Sequence, residues 1–213
     1  MSEQKKFEQF SQRERDKDRN GSFERPFIDC DLTRDEALDY PDCPPEILEK
    51  QDLVGLKYIS ADEKFHEGQM VIDRELTKDI KDLFDFILTL PENQYFPVDS
   101  VKPVILYNSD DEASMVANNT SGFNYRKIEG KDELSNHAYG MAFDLNPRQN
   151  PVVIDGEISQ PANGVYDSSQ PGTLYEGHPI VEFMKDHGWE WGGDWTEKKD
   201  YQHFAKVIDH EKI

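Results

Sequence analysis

The stretch Ser135-Asn136-His137-Ala138-Tyr139-Gly140-Met141-Ala142-Phe143-Asp144-Leu145-Asn146-Pro147 places an imidazole and a carboxylate in one short segment, with small residues between them. A second such pair lies near the C-terminus, where Trp189-Glu190-Trp191-Gly192-Gly193-Asp194-Trp195 runs into Asp200-Tyr201-Gln202-His203-Phe204. Two histidines and one aspartate make a three-ligand zinc set and leave one carboxylate over. A catalytic zinc asks for that arithmetic: three protein ligands, a fourth position open to water, and a base that stays off the metal.

His137 and Asp144 are seven residues apart, too far for one helical turn and odd in number for one flat strand. A turn or bulge at Gly140 is therefore expected to bring them together. Asp200 and His203, three apart, suit the end of a loop and the start of a strand. The roles that follow are His137, Asp144 and His203 as ligands of Zn2+ and Asp200 as general base, with the metal drawing the pKa of its water towards ~7. Arg126 would polarise a scissile carbonyl or hold a substrate carboxylate, because a fixed cation is most useful where oxyanion charge develops. The constellation reads as a metallopeptidase.

The same residues also have blander readings. Asp144 would serve equally as a turn residue before Asn146-Pro147, Arg126 as a surface ion pair, and Trp189, Trp191 and Trp195 as core. His66, His178, His187 and His210 are read as surface or hydrogen-bonded histidines, His66 in particular as a structural hydrogen-bonding group.

Outward from the site, Pro179 to His187 reads as a helix with proline in its first turn and Gly188 as its stop. Trp189–Trp191 and Tyr201–Ile208 read as two strands joined through Gly192-Gly193. The stretch from Pro147 to Gly177 shows no clear periodicity and is expected to be a long functional loop. Upstream, Leu53–Ile59 and Gln69–Ile72 are strand candidates paired antiparallel across the polar Ser60–Lys64. Apolar residues at Leu76, Ile80, Leu83, Phe84, Ile87 and Leu88 have helical spacing until Pro91, and mark the main packing helix. Val101–Tyr107 reads as a strand that Pro103 places at an edge or a strand start, Ser109–Met115 as the start of a short helix, and Ile47-Leu48 as a short helical piece. The fold class is α+β: a small, mainly antiparallel sheet with packed helices and the zinc site on the sheet's open face.

Three parts are expected: a charged flexible arm over 1–25, an irregular wrapping segment over 26–52 rich in proline, and a catalytic domain over 53–213. A net charge of −20, from 24 Lys and Arg against 44 Asp and Glu, argues against nucleic acid as a partner. No apolar run is long enough to span a membrane, and the charged start Met1-Ser2-Glu3-Gln4-Lys5-Lys6 carries no conventional signal peptide. Cys30 and Cys43 would pair in an oxidising compartment and otherwise stay free; neither has zinc-finger spacing. A monomer is expected.

The paired motifs Ser135-x-His137-x-x-Gly140-x-Ala142-x-Asp144 and Trp191-Gly192-Gly193-Asp194-Trp195 followed by Asp200-x-x-His203-Phe204 resemble the signatures of the D-alanyl-D-alanine carboxypeptidase-like zinc peptidases. That family includes vancomycin-resistance D,D-carboxypeptidases and phage L-alanyl-D-glutamate endolysins. Ser114-Met115, Asn118-Asn119-Thr120-Ser121 and Phe123-Asn124-Tyr125-Arg126 are similar to its substrate-side segment, so the resemblance spans about Leu53 to Val207. It implies a Hedgehog/D,D-peptidase-like fold and zinc-dependent cleavage of peptidoglycan stem peptides in the cell wall. It further implies His137, Asp144 and His203 as ligands, Asp200 as base, and Ser135 and Arg126 as substrate-binding residues. An aspartate at position 200, where D,D-dipeptidase members typically carry glutamate, tilts the expectation towards L-alanyl-D-glutamate cleavage. Two other readings stay open: a zinc-containing binding module without turnover, which has no need of both Asp200 and Arg126, and an amidase acting between sugar and peptide.

Overall fold

The structure, a computed structural model, describes residues 25–206. The expected N-terminal arm, apart from Arg25, lies outside the described residues, as do Ile208 and His210. The elements, in chain order, are β1 (Phe27–Ile28), α1 (Arg34–Ala37), α2 (Pro45–Leu48), β2 (Gln51–Ile59), β3 (Phe65–Asp73), α3 (Thr77–Thr89), β4 (Ser100–Val101), α4 (Asp111–Val116), β5 (Asn119–Thr120), β6 (Ala142–Asp144), β7 (Val152–Ile154), β8 (Glu157–Gln160), α5 (Pro179–Asp186), β9 (Glu190–Trp191), β10 (Lys198–Asp200) and β11 (His203–Ala205), with short 3-10 turns between several of them.

The β2–β3 hairpin is the longest ladder, running antiparallel from Gln51↔Asp73 to Ile59↔Phe65 around the Ser60–Lys64 turn. Both strands are longer than their apolar cores, because the backbone pairing continues through polar residues that the alternation leaves half-exposed. Ile80, Leu83, Phe84 and Ile87, spaced to share one stripe of α3, are buried against Val54, Leu56, Tyr58, Met70 and Ile72. Ile180, Val181 and Met184 of α5 join the same core, with Phe143, Trp189, Trp191 and Phe204 closing it beneath the site. Each such side chain contributes about 1.5–3 kcal/mol on burial, and the strands that carry the site rest on this core.

Among the described residues the strands form four small sheets: β1-β3-β2, β10-β7-β8, β6-β11-β9 and β4-β5. This corrects the expectation of one mainly antiparallel sheet. The β1–β3 and β4–β5 pairings are parallel, and the remaining ladders are antiparallel. Strands of two to four residues beyond the first hairpin are too short to extend a common ladder. The expected strand over Val101–Tyr107 is another correction: β4 stops at Val101, and Val104–Tyr107 is a 3-10 turn. Pro103 supplies no N–H to the ladder, which ends there. The stretch from Pro147 to Gly177 holds the β7–β8 hairpin, whose two-residue turn Asp155-Gly156 has positive φ at both positions (53° and 82°). An Asp-Gly pair between short β-branched runs favours that turn.

Cys30 and Cys43 are both free, the first half-buried and the second buried. Burial is the main reason the Cys43 thiol is pushed up to about 11. The other described histidines are engaged elsewhere: His66 with Asp29 and Asp62 (3.0 and 3.1 Å), His178 at the start of α5, and His187 with the carbonyl of Phe183 (2.7 Å).

Candidate metal centre

The Ser135–Asp144 stretch folds as a capped turn followed by a strand. The Ser135 hydroxyl accepts the His137 N–H (3.3 Å) and starts a 3-10 turn over Asn136–Tyr139. Gly140 then takes a left-handed conformation (φ 67°) and reverses the chain into β6, the turn its sequence position called for. A side chain there is excluded: a Cβ would lie 2.0 Å from Gln51 Oε1 and 2.6 Å from the Asp73 nitrogen. The reversal is also anchored, with Gln51 Nε2 donating to the Tyr139 carbonyl (3.1 Å) and Asp73 N–H to the Gly140 carbonyl (3.0 Å). The site is thus bolted to the β2–β3 hairpin.

β6 pairs antiparallel with β11, and Asp144 lies directly opposite His203 in that register. His203 Nδ1 is 3.0 Å from Asp144 Oδ1, His137 Nε2 is 3.3 Å from Asp144 Oδ2, and the two imidazole nitrogens are 3.2 Å apart. His137 and Asp144 are buried, and the exposure of the His203 side chain is only 12%. His137 Nδ1–H donates to the Gly122 carbonyl at 2.7 Å, which leaves Nε2 as a lone pair aimed at the other two groups. Three acceptor groups therefore converge on one point within 4.8 Å of one another. Two imidazoles and one carboxylate are the nitrogen and oxygen donors zinc accepts, and a cation at their centre removes the mutual repulsion of their lone pairs.

The electrostatics agree with a site built to hold positive charge. Burial works to raise Asp144, but the His137 and His203 imidazoles reverse this and hold its carboxyl well below the usual range. Burial likewise lowers His137, yet the Asp144 carboxylate overrides it and the net direction is upward.

Asp200 ends β10, beside the ligands. Burial raises its pKa, and the negative charge of Asp144 adds to this against the opposing pull of His203 and Lys198. Its Oδ1 is buried with no partner among the described residues, whereas Oδ2 meets Lys198 Nζ at 3.3 Å. The Trp191-Gly192-Gly193 sequence has a packing cause: a Cβ on Gly192 would sit 2.5 Å from the Asp200 carbonyl, and one on Gly193 2.3 Å from the Trp191 ring. Trp191 is core, as the bland reading has it, and its Nε1–H donates to the Tyr201 carbonyl (2.8 Å). Trp195 instead lines the site, 5.4 Å ring to ring from His203.

These groups share a cleft of ≈ 560 Å³ whose walls include Ser135, Arg126, Met115, Gln202 and the β7–β8 hairpin residues Val152, Ile154, Ser159 and Gln160. The structure brings all six sequence-predicted site residues to it. Arg126 is met there by Asp111, Nη2 to Oδ2 at 2.8 Å, while its Nε is buried with no partner among the described residues. Sequence reasoning missed Gly122 and Lys198. Gly122 approaches the Val71 carbonyl so closely that a Cβ would lie 2.3 Å from it, and a glycine just before Phe123 was the available signal. Lys198 sits two before Asp200, on the same face of a strand.

The comparisons with known proteins come to the same place. The family model described as D-alanyl-D-alanine carboxypeptidase matches residues 129–206, which hold His137, Asp144, Asp200 and His203. The chain is 30% identical over 142 residues to the peptidoglycan L-alanyl-D-glutamate endopeptidase CwlK of Bacillus subtilis (strain 168), covering 54% of this chain and 78% of that protein. No solved structure matches significantly. With that coverage of a relative, and with the matched segment carrying the convergent cluster, the chain belongs to the M15 family of D-alanyl-D-alanine carboxypeptidase-like peptidases.

Proposed function

We propose that this protein is a zinc-dependent peptidase that hydrolyses peptidoglycan stem peptides at an amide bond involving a D-amino acid, with L-alanyl-D-glutamate the favoured bond. One observation carries the reading: two imidazoles and a carboxylate, all buried, meet beside a second carboxylate whose inner oxygen has no partner among the described residues, all in one cleft. His137, Asp144 and His203 would hold Zn2+, which supplies Lewis-acid polarisation and a source of acidified water.

The remaining work falls to the chain. Asp200, kept basic by burial, takes a proton from the attacking water and returns it to the leaving amine nitrogen. Ser135 spends an oxygen lone pair on the His137 N–H and keeps its hydroxyl proton to donate to substrate. Arg126, with Asp111 fixing one edge of its guanidinium, presents oriented donors to the carbonyl side of the bond. The preference for the L-alanyl-D-glutamate bond rests on the named relative and on aspartate, not glutamate, at position 200. D-alanyl-D-alanine carboxypeptidase activity is the second reading, supported by the description of the matched family.

The catalytic unit is assigned to 53–213 with 26–52 wrapped against it, and Gln51, at the start of β2, ties the two together by its bond to the Tyr139 carbonyl. The cell wall, periplasmic or extracellular, is the site of action. No helix among the described residues is long and apolar enough to cross a membrane. Digestion of purified muropeptides, read by mass spectrometry with a chelator control, tests the reading. Cleavage after the first alanine supports the favoured bond, and loss of a terminal alanine the second. Zinc bound without any product would leave a binding module.

A further inference from the structure

Three cations line the cleft among the described residues: Arg126, Lys127 and Lys198. Arg126 is bound to Asp111 at 2.8 Å, and Lys127 is turned to Asp132 at 2.5 Å. Lys198 is different. Its ammonium lies 5.0 Å over the Trp195 ring and 3.3 Å from Asp200 Oδ2, and 45% of its side chain is exposed. An ammonium has three donors, and one longish ion pair to a proposed base leaves donors for a ligand. The indole beneath the stem fixes where the head sits. Because Lys198 and Asp200 share one face of β10, the cation travels with the base and is held next to the bond to be cut.

The surroundings give this cation a task. Asp110, Asp111, Glu112 and Glu129 also line the cleft, and the chain carries a net charge of −20, so an anionic ligand is repelled unless a local cation receives it. A glutamyl residue has two carboxyls. Whichever one continues the chain, the other stays ionised within a few bonds of the amide at its nitrogen.

We propose that Lys198 is a specificity-determining residue that recognises a free carboxylate on the substrate residue adjoining the scissile amide. The inference rests on the peptidase reading above and deepens it. The substrate class is a peptide with an acidic residue on the leaving-amine side, its spare carboxyl unblocked.

The test uses the zinc-loaded full chain and two stem peptides identical except that this carboxyl is free in one and amidated in the other. The wild type is expected to prefer the free acid by about fivefold or more in kcat/KM, a preference that shrinks with added salt. In Lys198→Met the ratio of the two rates should fall to about one, and Lys198→Arg should restore part of it. A wild-type ratio near one overturns the proposal. So does a Lys198→Met protein in which both rates fall together with their ratio intact, since that would be a role confined to positioning Asp200. Failure of the underlying peptidase reading looks different: the zinc-loaded wild type cuts neither peptide, which removes the substrate and the proposal with it.

Discussion

Asp144 and His203 face each other across one rung of an antiparallel ladder, their side chains 3.0 Å apart, so the backbone pairing that builds the sheet also sets the spacing of two proposed ligands. Ligands placed by strand register need little reorganisation to receive a metal.

Asp144→Asn removes the charge that draws both imidazoles together and should leave the protein without zinc after dialysis, whereas the wild type retains about one equivalent by elemental analysis. Metal bound only by the native state raises stability by about 2.7 kcal/mol at a hundredfold excess over Kd. Chelation should therefore lower the Tm of the wild type and leave that of Asp144→Asn nearly unmoved. An equal fall in both would count against the ligand assignment.

Asp200→Asn keeps the shape of the side chain and loses the base. Zinc content should match the wild type, and kcat should fall by about 10²–10⁴-fold, the usual worth of a positioned general base. Activity within a few-fold of wild type would remove Asp200 from the mechanism.

Gly140→Ala forces a Cβ into a left-handed position that is already filled by the Asp73 backbone and Gln51. The cost should be about 3 kcal/mol, read by urea denaturation. Zinc affinity should fall with it, because His137 is held on the turn that Gly140 closes. A stable variant with unchanged affinity would show that the turn can be rebuilt without its glycine.

His178 gives a pH dependence of known sign. Its ring accepts the Ile180 N–H (3.2 Å) at the start of α5, and burial lowers its pKa from 6.5 to about 4. The unfolded chain therefore takes up this proton first as pH falls. The stability associated with the neutral ring is complete above pH 6.5 and is lost progressively as pH drops towards about 4. His178→Asn offers a cap that does not titrate. The stability gap between wild type and this variant should be largest near neutrality and shrink in acid; a gap constant with pH would refute the assignment.

The first hairpin, α3 and α5 were legible in the sequence, the hairpin from the polar Ser60–Lys64 stretch between two apolar runs and the helices from an apolar spacing that stops at Pro91 or Gly188. The cluster was legible as well, since His137, Asp144, Asp200 and His203 stand in two short motifs. The division into four sheets was not. Strands of two or three residues carry no periodicity, and the β-branched residues of Val101–Tyr107 favoured an edge strand that accommodates Pro103, where the chain instead leaves the ladder and turns. The glycine at 122 marks a close backbone approach to Val71, but nothing in its identity says that its carbonyl receives the His137 ring. Lys198 escaped because one lysine in a charged loop looks like every other.

The strand that carries Asp200 and Lys198 is hydrogen-bonded to the β7–β8 hairpin, whereas Asp144 and His203 belong to a separate sheet, the two joined through Tyr201 and Gln202. The hairpin is consequently a replaceable part. Its turn can be lengthened, or its outer strand exchanged, to reshape the mouth of the cleft while the rung that spaces Asp144 and His203 stays untouched. For anyone wishing to redirect the protein to another peptide, residues 155–160, the turn and the outer strand, are the place to graft, because β7 is the strand paired with Asp200.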